Sequence, residues 1–120
     1  MPTQTYDPYK PYVSVVSPTR KVIAHADAAG IRVFEVGTQR TLFSFPTQSM
    51  VNDLDFSPDG SLFVAGSQDG TVTIYKTSTG HLVKSFKIGL PLTTVHFDGP
   101  DKVVAQSGQS QWSFNLKAAN

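Results

Sequence analysis

The chain has 120 residues, ten Lys and Arg against nine Asp and Glu, a formal net charge of +1 and no cysteine. That length holds one domain or part of one. Near-neutrality without a charge run excludes the electrostatic footprint of a nucleic-acid binder or a membrane-surface stripe, and the lack of Cys excludes a disulfide framework, a thiolate metal site and a Cys nucleophile. No stretch approaches the roughly 18 apolar residues that span a bilayer, and the N-terminus has no apolar leader core. The expectation is a soluble, unprocessed protein that is intracellular (cytoplasmic or nuclear) and not secreted.

In chain order, the first stretch reads MPTQTYDPYKPY. Pro8 and Pro11 break it and Tyr6, Tyr9 and Tyr12 recur every third residue, which predicts an extended arm strapped to the body rather than a helix. A repeat then begins. Shifting Ser17-Pro18 by 40 residues reaches Ser57-Pro58, carrying Val16 onto Phe56, Lys21 to Ala24 onto Ser61 to Val64, and Gly30 onto Gly70. One residue further along, Val33-Phe34 falls on Ile74-Tyr75 and Leu42 to Phe45 on Val83 to Phe86, so the first copy reads as shorter by one residue in its third turn.

The middle copy predicts four strands, Val51–Phe56, Leu62–Ser67, Thr71–Lys76 and Leu82–Ile88, each rich in β-branched and aromatic residues. The turns between them have a mechanism. Pro58 presets φ, Asp59 bonds back to its own backbone, and Gly60 and Gly70 supply the positive φ of tight hairpins. Apolar residues at both parities, as in the LFVA of Leu62 to Ala65, predict strands covered on both faces and hence sheets stacked face to face. A third, more divergent unit follows: Phe56 shifts onto Phe97, Leu62 to Val64 onto Val103 to Ala105, and QWSFNL takes the place of TVTIYK, with Trp112 at the place of Val72. It has no counterpart of Leu82 to Ile88.

The residues FSPDGSLFVAGSQDGTVTIYKTSTG, Phe56 to Gly80, resemble a WD-repeat blade in their F-S-P-D-G turn, small-residue second strand, S-x-D-G-T-V hairpin and Ile-aromatic pair. With the weaker flanking copies the resemblance covers nearly all of residues 10 to 116. No Gly-His precedes the first strand, Tyr75-Lys76 stands where Trp-Asp is usual, and of the buried tetrad that staples such a blade Ser67 and Asp69 remain. The resemblance implies an all-β fold of three four-stranded antiparallel propeller blades, a partial propeller or half of a six-bladed ring. The divisions are a closing arm at 1–9, blades at 10–49 and 50–90, and a third blade at 91–120 that lacks its fourth strand. Because a propeller ring has at least four blades, the chain is expected to close only with help: from a second copy, from further blades, or with Thr3–Tyr6 lent as the fourth strand of the last sheet. The outward sheets are expected to leave apolar faces.

The pairs His25 and Asp27, His96 and Asp98, and Asp53 and Asp55 each put two side chains on one face of a strand, as a metal or acid–base site needs. No catalytic motif accompanies them, and the reading is ordinary strand-edge and turn roles: no catalytic residue, no metal ligand and no cofactor. Asp53 and Asp55 fall on a first strand, which lines a propeller's channel, where they would attract a basic peptide or stay solvated. Phe34, Phe45, Tyr75, Phe86 and Phe97 recur at equivalent places and read as packing between blades; Trp112 reads as packing or as a partner anchor. The functional expectation is a non-catalytic scaffold binding other proteins, without nucleic-acid or membrane partners, as a homodimer or a propeller completed by further blades. The candidate partner-binding residues are Gln48, Asp53, Asp55, Gln68, Gln109 and Trp112; the alternative is a ligand-binding or enzymatic propeller working through the two channel carboxylates.

Overall fold

The computed structural model describes residues 12–117. The predicted arm, with Thr3–Tyr6, Tyr6 and Tyr9, lies outside the described residues. Within them eleven strands form three antiparallel sheets and no helix. Sheet 1 holds β1 (Val13–Val16), β2 (Val22–Asp27), β3 (Gly30–Glu35) and β4 (Thr41–Phe45) in chain order. Sheet 2 holds β5 (Val51–Phe56), β6 (Leu62–Ser67), β7 (Thr71–Lys76) and β8 (Leu82–Lys87), and sheet 3 holds β9 (Thr94–Phe97), β10 (Lys102–Ser107) and β11 (Ser110–Asn115). β5 packs against both β1 and β9, so the first strands stand side by side and the sheets fan out from them as propeller blades do.

The turns follow the sequence. Ser17 and Ser57 close the two Ser-Pro hairpins, and each hydroxyl accepts the N–H at the start of the next strand, Val22 at 3.2 Å and Leu62 at 3.0 Å. Gly60 adopts φ +79°, and Arg20 holds the same place in the first copy at φ +62°, a left-handed backbone that costs a non-glycine residue about 1 kcal/mol. The length change between copies sits in the hairpin joining second and third strands: Ala28-Ala29 in sheet 1 and Gly108-Gln109 in sheet 3, against Gln68-Asp69-Gly70 in sheet 2. The alignment of the third copy is therefore corrected by one residue. β11 matches β7 at a shift of 39, which puts Trp112 at the place of Thr73 rather than Val72. In a pleated strand one residue of slip changes the face. Trp112, opposite Ala105, shares its face with Phe114, whose ring stacks on Phe86 of sheet 2 at 4.1 Å.

Two apolar layers join the sheets. Ala24, Ala26, Ile31 and Val33 of sheet 1 pack on Leu54, Phe56, Phe63 and Ala65 of sheet 2. On its other face sheet 2 offers Val64, Val72 and Ile74 to Val95, Val103 and Ala105 of sheet 3. Phe45 and Tyr75 (ring centroids 4.9 Å apart) belong to the first layer and Phe86 and Phe97 to the second. Phe34 instead lies on the outward face of sheet 1, under the Arg32 guanidinium at 4.6 Å.

The expected apolar outward face is absent from sheet 3, while sheet 1 keeps one apolar row on its outward side. Register places Thr94, His96, Lys102, Val104, Gln106, Gln111, Ser113 and Asn115 on the outer side of sheet 3, with Val104 the one aliphatic residue among them. Sheet 1 turns Ser14, His25, Arg32 and Ser44 outward in one cross-strand row, and Val16, Ile23 and Phe34 in the next. The apolar residues at both parities in the sequence belong chiefly to sheet 2, which is covered on both sides.

Candidate functional site

The side of the molecule that carries the hairpins between second and third strands, with the linkers between sheets, is organised around residues 67 to 71. Ser67 donates to the Asp69 carboxylate, and the Thr71 N–H donates to Ser67 Oγ at 3.2 Å and to Asp69 Oδ1 at 3.1 Å. The Ser67 hydroxyl holds the Asp69 carboxyl below the usual carboxylate range, so it stays ionised. Ser67 is buried while Asp69 is exposed, so the remnant pair staples the hairpin from its surface.

Both flanking linkers clamp this hairpin. From one side Ser49 Oγ accepts the Asp69 N–H at 3.0 Å and the Met50 carbonyl accepts the Gln68 N–H at 2.8 Å. From the other, the Gly70 carbonyl accepts the Ile88 N–H at 2.8 Å and the Ser67 carbonyl accepts the Leu92 N–H at 3.2 Å. A Cβ on Gly70 would sit 2.5 Å from the backbone nitrogens of Gly89 and Leu90, so glycine is required there by close approach as well as by its φ of +86°. Asn52 completes the clamp: its Nδ2 donates to Gln68 Oε1 at 2.8 Å and to the Leu92 carbonyl at 2.9 Å. Asn52 was missed by the sequence reading, and Leu92, read as part of a loop face offered to partners, is fully buried. Ser57 was missed too, although the recurrence of Ser17 and Ser57 ahead of proline marked it.

The other candidate residues are dispersed. Gln48, Gln68 and Gln109 are exposed on the loop side, and Trp112 is half-buried on β11. Asp53 and Asp55 join sheet 2 to sheet 3. The Val95 N–H donates to Asp53 Oδ2 at 2.8 Å and the Phe97 N–H to Asp55 Oδ2 at 2.7 Å. Asp53 is buried, at 4 % exposure; burial pushes the Asp55 carboxyl up, against the Phe97 N–H that lowers it. Of the remaining pairs, His25 Nε2 meets Asp27 Oδ2 at 3.1 Å while His25 Nδ1 meets Ser14 Oγ at 2.7 Å, and Asp98 pairs with Lys102 at 3.7 Å. Among the described residues no three His, Asp or Glu side chains converge as a metal would need.

A cavity of about 600 Å³ opens between sheets 1 and 2, lined among others by Gln48, Phe45, Thr73, Tyr75 and Asp69. Loop residue Gln48 thus borders an inter-sheet space with aromatic walls, the mixed lining common to binding sites.

The comparisons agree with this architecture. The family model for the WD domain, G-beta repeat, matches residues 37–76, from the end of sheet 1 through β7. No curated protein sequence matches significantly. Among solved structures, the RRP9 WD40 repeats align with a TM-score of 0.81 and 18% identity over 94% of this chain, and U3-55K with 0.81 and 17% over 94%. The chain spans 38% of the length of each. Matching solved chains number 957, so the likeness names an architecture and no partner. Residues 37–76 thus match a WD repeat, and the sheets on both sides of it share the fold of WD40 propeller blades.

Proposed function

We propose that this protein is a non-catalytic scaffold for protein–protein interaction, acting inside a larger intracellular assembly and presenting its loop side to partners. The observation that carries the reading is the clamped hairpin. Hydrogen bonds from two linkers fix residues 67 to 71, so the exposed Gln48 and Gln68 stand on a surface that loses little entropy when a partner binds. Gln109 extends the same side on sheet 3. Linker residues 46–50 and 88–92 and the turns at 28–29, 68–70 and 108–109 contain no Lys or Arg, a composition suited to amide hydrogen bonding and unlike a phosphate-binding surface. The WD-repeat fold supports the same role, because its usual use is as an interaction platform. The blade divisions at 49/50 and 90/91, with an arm at 1–9 and the ring completed by a second copy or by further blades, form part of this proposal. No cofactor, nucleic acid or membrane enters it.

The channel-carboxylate alternative has less support, since both carboxylates accept N–H groups of the next sheet. A photo-crosslinking amino acid placed in turn at Gln48 and Gln109, and on the opposite side at Gln39 and Thr79, tests the scaffold reading. Crosslinks to other proteins are expected from the first two positions. Crosslinks confined to Gln39 and Thr79, or equal from all four, would overturn it.

A further inference from the structure

The junction of sheets 2 and 3 contains a hydrogen-bonding device whose two halves recur, unmated among the described residues, on sheet 3 and sheet 1. β9 is the edge strand of sheet 3. The Asp98 N–H bonds to the Lys102 carbonyl, so alternate N–H groups point to β10, and those of Val95 and Phe97 face away from it, where Asp53 and Asp55 accept them. Spacing and pleat fit each other: two acceptors at i and i+2 on one first strand meet two donors at i and i+2 on the next.

The repeat shows where the same places fall elsewhere. Acceptor places Asp53 and Asp55 become Val13 and Val15 in sheet 1, which pack into the apolar layer instead, and Thr94 and His96 in sheet 3. Donor places Val95 and Phe97 become Ser14 and Val16 in sheet 1. The Ser17 N–H bonds to the Val22 carbonyl, so by the same alternation the N–H groups of Ser14 and Val16 point away from β2. Sheet 3 thus ends in two side chains with acceptor atoms, and sheet 1 begins with two backbone donors at matching spacing. Thr94 Oγ1 already donates to Gln106 Oε1 at 2.7 Å, which leaves its lone pairs to accept. The face beside the sheet 3 edge is polar, and the face beside the sheet 1 edge pairs a polar row, Ser14, His25, Arg32 and Ser44, with an apolar one, Val16, Ile23 and Phe34.

We propose that a second copy of this chain occupies this junction. Sheet 3 of one copy docks on sheet 1 of the other, with Thr94 Oγ1 and a His96 ring nitrogen accepting the N–H groups of Ser14 and Val16, twice over, about a two-fold axis that closes six sheets into a ring. Thr94 and His96 are the residues that decide the strength of this contact, and the outward row Ser14, His25, Arg32 and Ser44 is buried by it. The inference rests on the reading of the chain as part of a larger assembly and names the partner that completes the ring.

Sedimentation equilibrium on the full chain tests it. Wild type is expected to show a monomer–dimer equilibrium. Thr94→Asp with His96→Asp rebuilds the acceptor chemistry of Asp53 and Asp55 and is expected to tighten the dimer about tenfold; Thr94→Val with His96→Leu is expected to weaken it by a similar factor. Ser14→Pro removes an N–H that no described residue accepts, together with the Ser14 hydroxyl contact to His25, and is expected to weaken the dimer with unchanged circular dichroism. A chain that stays monomeric at every concentration overturns the inference, as does a dimer indifferent to all three variants. A monomer that still crosslinks to other proteins through Gln48 and Gln109 loses this inference alone, and a dimer that crosslinks to nothing loses only the scaffold reading.

Discussion

Ser57 and Asp69 show how differently two small polar residues act in equivalent-looking turns. Ser57 is 1 % exposed, donates to Asp59 at 2.9 Å and accepts the Leu62 N–H at 3.0 Å. Alanine there leaves the Leu62 N–H without its side-chain acceptor, so Ser57→Ala should cost about 1–3 kcal/mol. Asp69 makes as many bonds but from the surface, where water replaces them, and Asp69→Ala should cost about 0.5–1 kcal/mol. Urea unfolding of both variants measures the difference; equal losses would show that burial does not set the cost. The carboxylates also give the fold an acid limit. Asp59 and Asp69 are held below their ordinary value of 3.8, Asp59 chiefly by the Ser61 N–H and Asp69 by the Ser67 hydroxyl. A depressed folded-state pKa stabilises above the unfolded value and loses that contribution as pH falls through the folded one. Melting temperature should therefore fall as pH drops below about 4. The Asp59→Asn, Asp69→Asn double variant should start lower at neutral pH and fall less. Asp55, raised by burial, works in the opposite direction, since its contribution is lost as pH rises.

At the scale of the sheet, the two junctions differ in kind. Sheets 1 and 2 meet through side-chain apolar packing, whereas sheets 2 and 3 add the carboxylates of Asp53 and Asp55 and the Asn52 amide. Asp53→Ala strands the Val95 N–H in a buried place and should cost about 1–3 kcal/mol, with Asp53→Asn milder because its amide oxygen still accepts. Amide hydrogen exchange should quicken at Val95 in the alanine variant more than anywhere in sheet 1; uniform change would deny the carboxylate its local role. Gly66 belongs to the same junction. A Cβ there would lie 2.5 Å from Val95 Cγ1, so Gly66→Ala should destabilise by about 1–3 kcal/mol through overpacking.

These same elements show what was legible beforehand. The strands of sheet 2 were readable to within one residue, Leu82–Ile88 against the observed Leu82–Lys87, because β-branched runs and turn residues with fixed φ demands act locally. The face of Trp112 was not, because it depends on a single residue in the hairpin at 108–109, and a pleated strand turns one residue of uncertainty into the opposite side. Nor was the use of Asp53 and Asp55, whose N–H partners lie 42 residues away; the composition of β5 alone reads equally as a solvated channel wall. The polar outward face of sheet 3 was visible residue by residue in Thr94, His96, Gln106 and Gln111, but only pairing register collects them on one side.

Across the whole molecule, sheet 2 is the shared partner, and stability should grade outward from it. Its residues Phe63, Val64, Val72 and Ile74 are fully buried, two layers of core use its two faces, and the Phe63 ring stacks with Phe43 and Tyr75 and meets Phe56 at a tilt. The last strand of sheet 2 and the third of sheet 3 sit at outer edges with most side chains exposed. In repeat architectures each unit is held by its own hydrogen bonds and by its nearest neighbours, so the unit with two neighbours opens last. Amides of β6 and β7 should exchange only on global unfolding, whereas those of β8 and β11 that face outward should exchange through local opening. Phe63→Ala removes a large ring from the layer between sheets 1 and 2 and should cost about 3–5 kcal/mol, abolishing the slow class in both sheets together. Val103→Ala, which deletes less volume from the layer between sheets 2 and 3, should cost about 1–3 kcal/mol and quicken sheet 3 while leaving sheet 1 protected. Exchange measured residue by residue on these two variants separates the views. If Val103→Ala loosens sheet 1 as much as sheet 3, the three sheets form one cooperative body and the graded picture is wrong.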